Sequence, residues 1–537
     1  MQKLFTGAMI AIALAAILLT HTTAGLLSTT QTVPSNGTIT ARVLSLTLGS
    51  SSNPAKTASP ILIYGQIATV GNGNYSNLSI DIQYSQDQST WHNISTVTAN
   101  SSGTFETAFA FPSSGTYFVK ATCGNQVNSY NQLVADRIVN LNGSEDSVDI
   151  QTAIDSLPST GGVVYIRSGL YDLQGKSIVL RSNLTLIGAG IDRTTIRLYP
   201  TMHNESMAIA DAIVSQDPIT SLLVENFTLV QNVVPLNHHG GLNFRGGKED
   251  NIAIRNVKIT DVSGTGIGVG GTCTNLLIEN CDIERVWTGI AFSDSSDVTI
   301  RNNIIVDTTG DGILPVNSAS EMVIENNYLE NIGDTAIDIV GPASLGWLSA
   351  QHIVIRNNDI TNGTIRVTNS LDVQIVGNSI HYGEINVDGG QGTPVDVKII
   401  GNLIVSTGNA AIGFYGAANS SAENNIIKME PPSPNVTQSG IIAAIWGTGR
   451  IINNTILNSA NYGIDFGGWA LGSGNNITIR SNTIQDFGNF GIYDDDQHQE
   501  TVYVENNTFI YNANATAIFV EDPANHWIID GNIFIIH

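Results

Sequence analysis

The sequence predicts an all-β protein, a right-handed parallel β-helix (solenoid) preceded by an antiparallel β-sandwich. Two observations predict it. From about residue 222 the chain repeats a short motif every 25 residues or so, and before that, over residues 38–135, short alternating segments are separated by turn signals. A period of this size is one coil of a solenoid, in which each coil contacts only its neighbours.

The first 24 residues read as a secretory signal. Lys3 supplies the positive region, Ala8 to Leu19 are twelve consecutive apolar residues, and Thr22-Thr23-Ala24 offers a small-residue cleavage site. Twelve apolar residues fall short of the roughly 20 that span a bilayer. An uncleaved N-terminal anchor is the alternative, and no later segment resembles a membrane span. Residues 25–37 form a linker.

Residues 38–135 contain ITARVLSL, ILIYGQIATV, LSIDIQYS, TFETAFAF and TYFVKAT, joined by turns such as GNGN and SSGT. Period-2 alternation at this spacing is the pattern of a sandwich. The stretch from Ser79 to Ala121 resembles the immunoglobulin-like modules of bacterial and archaeal surface proteins, and Trp91 is expected in its core. A linker around residues 136–146 leads to the β-helix, residues 146–537.

The repeat itself reads LLVENFTL, IAIRNVKI, LLIENCDI, VTIRNNII, MVIENNYL, IVIRNNDI and so on to WIIDGNIF. Its second Asn falls at 303, 327, 358, 378, 402, 425, 454, 482, 507 and 532, at intervals of 20 to 31 residues. Stacked at a strand spacing of about 4.8 Å, such side chains bond to one another and to turn backbone, so the column is structural. After each Asn turn comes a short strand, a variable turn, and a strand of the form Gly/Ala-Ile-x-Phe/Val. The Ile and the residue two beyond it point inward and the residue between points out. That outward column runs Asn243, Gly268, Ala291, Leu314, Asp338, Arg366, Asn386, Gly413, Asp465, Tyr493, Phe519.

Composition bounds the function. Apolar residues make up 42% and charged residues 13% of the 537, and the net charge is −24. Such a surface repels phosphate, which argues against nucleic acid as a partner. Three cysteines, Cys123, Cys273 and Cys281, are too few for a disulfide framework; Cys273 and Cys281 are expected as buried free thiols, with a bond between them the alternative. Sequons at Asn74, Asn77, Asn93, Asn226, Asn453, Asn476 and Asn506 would take glycans where they fall on exported loops.

Residues 146–199 resemble the opening of pectate-lyase-superfamily β-helices, including mannuronan C-5 epimerase modules and glycosidase-like phage tailspikes. Val148, Ile150, Ile154 and Leu157 would mark the amphipathic helix that caps the solenoid. Gly161 to Ile166 would enter the first coil, and Ile187-Gly188-Ala189-Gly190 would be the turn shared by that superfamily. The resemblance implies action on, or binding of, a polysaccharide or cell-surface glycan, but the catalytic motifs do not carry over. Where the epimerases place Asp-Pro-His, this chain has Ile267-Gly268-Val269-Gly270. The nearest polygalacturonase-like fragments, Gly310-Asp311-Gly312 and His238-His239-Gly240, occur in reverse order.

Candidate chemistry lies on the outward column. Asp338 and Arg366, on adjacent coils, would come within about 5 Å. With Asp388 they are the candidate catalytic set for lyase, epimerase or glycosidase-like chemistry. Asn386, Glu384, Tyr382, Tyr415 and Asp465 are candidate substrate-binding residues, with Asp311 and Asp334 beside the same sheet. An exposed Asp338–Arg366 ion pair is the plain alternative. No metal ligand set is apparent. Calcium is the ion that the acidic turn Asp494-Asp495-Asp496, with His498 and Glu500, would take if its carboxylates converged, and a solvated loop is the other reading. The competing function is a non-catalytic adhesin or structural cell-envelope rod. A periplasmic maturation-type helix would need a metal site.

Overall fold

The computed structural model describes residues 43–537 except 70–74, 76–77, 142–145, 175, 199–212, 216–217, 232–239, 245–246, 342–349, 391, 432–436, 467–475, 495–500 and 522–525. The signal segment, the 25–37 linker, Asn74, Asn77, His238, His239, Arg245, Trp469, Asp495, Asp496, His498 and Glu500 therefore lie outside the described residues. The chain divides into two compact units between Asp136 and Arg137.

In the first unit Ile61–Thr69 pairs antiparallel with Val43–Leu46, Gly49–Ser50 and Thr104–Phe109. A second sheet runs in the order Ala55–Lys56, Gln126–Ala135, Gly115–Cys123, Ser79–Ser85, His92–Thr98. Alternate residues of both sheets, among them Ile63, Ile67, Ile80, Ile82 and Val119, share one core. Trp91 is not part of it, contrary to expectation. Its indole N–H donates to the Gln88 carbonyl at 3.0 Å and Lys120 Nζ lies 3.7 Å from the ring centroid, which holds the ring on the surface.

The second unit begins at Arg137–Val139 and carries a helix, Asp146–Asp155, against the first strands of the solenoid. Ile150, Ile154 and Leu157 are buried, at i, i+4 and i+7 on one stripe. Val148 is 40% exposed, because it lies some 200° around the helix from Ile150. Beyond the helix all strand pairs are parallel and form three sheets. Sheet A precedes the Asn turn (for example Ser296–Arg301, Ser320–Glu325 and Ala350–Arg356). Sheet B follows it with short strands such as Ile304–Thr308 and Tyr328–Ile332. Sheet C contains Ile290–Ser293, Ile313–Val316, Ile337–Val340, Ile365–Thr368, Ile385–Asp388, Ala410–Ala418, Ser439–Trp446, Tyr462–Asp465, Phe490–Asp494 and Thr516–Val520. Stacked isoleucines fill the lumen, and one continuous core runs along the unit.

The Asn column is a hydrogen-bonded ladder. Asn303 Nδ2 donates to Asn327 Oδ1 at 3.0 Å and to the Ile278 carbonyl at 3.1 Å, and its backbone N–H donates to the same Oδ1 at 3.0 Å. The pattern continues coil by coil to Asn507 and Asn532. The residue before each ladder Asn takes a left-handed conformation: φ is 55° at Asn326, 64° at Gly377 and Gly401, and 57° at Asn453. Asn and Gly tolerate that conformation best, which explains why the motif reads Asn-Asn or Gly-Asn at every step but Ser481-Asn482, where φ is 57°. All three cysteines are buried free thiols, and burial pushes those of Cys273 and Cys281 up to about 12.

Candidate functional site

The register of sheet C sets the outward column. Asn243, Gly268, Ala291 and Leu314 are aligned, and from Asp338 the alignment runs through Arg366, Asn386, Gly413, Ile442, Asp465, Tyr493 and Phe519. Ile442, on the strand Ser439–Trp446, is a member that the sequence reading skipped. Between Leu314 and Asp338 only the flanking pairs Ile313–Ile337 and Val316–Val340 are in register, because Pro315 has no N–H to donate at that step.

Asp338 and Arg366 meet, but not as an exposed pair. The Asp338 side chain is only 2% exposed, while that of Arg366 is 38% exposed. Arg366 Nε donates to Asp338 Oδ1 at 2.8 Å and Nη2 donates to Oδ2, a bidentate clasp. This contact raises the guanidinium pKa further, and the charges of Asp334 and Asp311 act in the same direction. Asp311, on the turn one coil earlier, accepts the Thr335 backbone N–H at 3.2 Å. Burial, then the neighbouring charges of Asp338 and Asp334, push its carboxyl up to about 6. Asp334 is exposed on the next coil. Sequence reasoning placed Asp311 and Asp334 beside this sheet without a role. The crowding that singles out Asp311 exists only in three dimensions.

A second group lies on the following coils. Asn386 Nδ2 donates to Glu384 Oε1 at 2.7 Å, and burial raises the Glu384 carboxyl pKa. Asn386 Oδ1 is buried with no partner among the described residues. Asp388 accepts the Gly390 N–H at 2.8 Å and is aligned with Tyr415. The Tyr415 ring lies across Gly413, where a Cβ would stand 2.2 Å from Cε2, so only glycine fits there. Burial, then Glu384, Asp388 and Asp465, push the Tyr415 hydroxyl up to about 12. Asp465 accepts a bond from Ser439 Oγ at 2.9 Å. Asp388 is thus on the same face as Asp338 and Arg366 but belongs to this second group, and Tyr382 stands on the turn leading into it.

Farther along, Tyr462 and Tyr493 stack at 4.3 Å and 5°, with Phe490 and Phe519 continuing the stack. Their faces are turned to one another, so the stack is packing rather than a platform. Sheet A carries a shallow depression of about 520 Å³ lined by Asp297, Glu321, His352 and Asp372, where His352 Nδ1 is 2.7 Å from Glu321. Among the described residues no three His, Cys, Asp or Glu side chains converge as a metal site, and no helix is long and apolar enough to cross a membrane. Of the acidic turn only Asp494 is described, and it is buried.

The chain belongs to the right-handed β-helix region family, whose model matches residues 213–346 and 385–534, just over half of the sequence. Among solved structures it is similar to the A-module of a mannuronan C-5 epimerase from Azotobacter vinelandii, at 18% identity and a TM-score of 0.45, covering 73% of this chain and 95% of that one. It is similar to the catalytic domain of a GH87 α-1,3-glucanase solved with tetrasaccharides, at 16% identity and a TM-score of 0.45, covering 86% and 97%. A thermostable GH87 α-1,3-glucanase from Streptomyces thermodiastaticus matches at 15% identity and a TM-score of 0.40, covering 92% and 96%. No curated protein matches. At these similarities the neighbours say nothing about which residues of this chain act.

Proposed function

We propose that the outward face of sheet C binds a polysaccharide and hydrolyses it, with Asp311 as the general acid. The observation that carries this reading is the juxtaposition of a half-buried Asp311 with Asp334 and Asp338 on the next coil. A carboxyl that keeps its proton up to about pH 6, beside a second, ionisable one, is the arrangement that glycosidic cleavage needs. Asp311 would give its proton to the glycosidic oxygen as the C–O bond breaks. A water oxygen would bond to the anomeric carbon, its proton passing to Asp334. Asp338 and Arg366, clasped together, would set the local field rather than react. Asp388, Glu384, Asn386, Tyr415 and Asp465 would bind sugar hydroxyls along the face.

With Asp311 as the acid, hydrolysis should fall about tenfold per pH unit above pH 6, as one essential proton is lost. Reducing-end release from a polysaccharide panel, measured against pH, checks this. Asp311→Asn should abolish release while leaving the melting temperature near that of the parent protein. Release that is insensitive to this change would reject the assignment. Stability should move in the same pH window. A carboxyl raised in the folded state stabilises fully below pH ~4 and loses that contribution as the pH rises to about 6.

The competing reading, an adhesin or structural rod that binds without turnover, is favoured by one observation. Asp338, Glu384 and Asp388 all spend oxygens on internal bonds. For the first unit we propose an immunoglobulin-like module. This reading rests on its two-sheet order and on the parallel pairing of Ala55–Lys56 with Gln126–Ala135. The N-terminal apolar run supports export to the cell surface.

A further inference from the structure

We infer that the ligand of this face is an uncharged glycan lying along the helix axis between Trp287 and Tyr382. This rests on the proposed glycan face and names its substrate class. Among the described residues, Arg366 is the only basic side chain on a strand of sheet C. Its guanidinium is already committed to buried Asp338 and stands among Asp311 and Asp334. Arg366 keeps N–H groups on its outer edge, but its charge is already balanced by Asp338, and Lys428 beside Tyr382 is likewise paired with Glu430. A sugar carboxylate would therefore meet cations that are already balanced and would approach a face otherwise lined by acids. Hydroxyl-rich neutral sugars meet no such barrier, since carboxylates and amides accept their O–H groups.

Two aromatic side chains mark the ends. Trp287 is 44% exposed, and its indole lies over Gly310, where a Cβ would stand 3.2 Å from Nε1; Gly310 directly precedes Asp311. Tyr382 is 55% exposed and has φ of 59°, in a column where the two preceding coils place Asn331 and Asn362 at 55° and 54°. That conformation suits Asn and disfavours a bulky residue, so an aromatic ring there sacrifices local stability. Its N–H bond to the Val405 carbonyl, 2.6 Å, holds the turn in place. The two rings are four coils apart, about 19 Å at the strand spacing and about the length of four pyranose rings. Asp311 lies inside that span.

The test uses full-length protein and defined probes. Hexaoses of β-1,4-glucan, β-1,3-glucan, α-1,3-glucan and β-1,4-mannan form the neutral arm, and hexamers of galacturonate and mannuronate the anionic arm. Calorimetry should detect a neutral hexaose with an affinity that hardly changes between low and high salt. Trp287→Ala and Tyr382→Asn should each weaken it at least tenfold. Tyr382→Asn should melt no lower than the parent protein, because Asn is the residue that suits this φ. Binding of an anionic hexamer alone would overturn the neutral class while leaving a glycan face in place. Neutral binding untouched by both substitutions would overturn the location. Binding in neither arm would remove the proposed function and this inference with it.

Discussion

Arg366→Ala is expected to lower the unfolding free energy by about 3 kcal/mol, the lower end of the range for breaking a buried ion pair. The lower end applies because the arginine keeps partial exposure while Asp338 is almost completely covered. The loss arises from the carboxylate left behind rather than from the contact itself. Removing both charges, as Asp338→Leu with Arg366→Leu, should therefore recover most of the loss. Chemical denaturation of the two variants checks this. A single substitution as stable as the parent protein would mean that Asp338 is solvated in solution.

Asn454→Leu should destabilise the solenoid by about 4 kcal/mol, from two buried backbone groups that lose their partners at about 1–3 kcal/mol each. Asn454 Oδ1 accepts the Asn425 backbone N–H at 2.9 Å, and Asn454 Nδ2 donates to the Ala422 carbonyl at 2.8 Å. Leucine can replace neither bond. Because each coil touches only its neighbours, the damage should be local. Hydrogen exchange should quicken over the coils around 422–482 and stay slow near Asn303. Exchange that is unchanged at Asn425 would remove the ladder from the account of stability.

The ladder was legible because a buried polar residue recurring at the coil period has one economical explanation. The alternation of Asn with Gly just before it carried a second message, a left-handed turn, which spacing alone does not convey. The outward column of sheet C followed from period-2 alternation and failed at Ile442, whose strand Ser439–Trp446 departs from the Gly-Ile-x-Phe pattern. Alternation gives the direction of a side chain, not its burial. Asp338 lies in the outward column as expected, yet its side chain is only 2% exposed and is clasped by Arg366. Asp311 stands directly before the Gly-Ile motif, in register with Thr265, Thr288 and Thr335, so an acid in a column of threonines was the signal available in the sequence, whereas Trp287 sits on the preceding turn. Their proximity to the acidic cluster comes from the stacking of coils, as does the raised pKa of Asp311. Trp91, expected inside, is held outside by its bond to Gln88 and by Lys120, and Val148 is outside because it lies on the far side of the helix from Ile150.

The claim that most needs testing is the location of the glycan. Crystals of the Asp311→Asn variant soaked with whichever neutral hexaose binds the parent protein would show it directly. Sugar rings are expected stacked coil by coil over sheet C, within reach of Asp334, with ends against Trp287 and Tyr382. Sugar seated instead in the sheet A depression beside His352, or on the first unit, would contradict it.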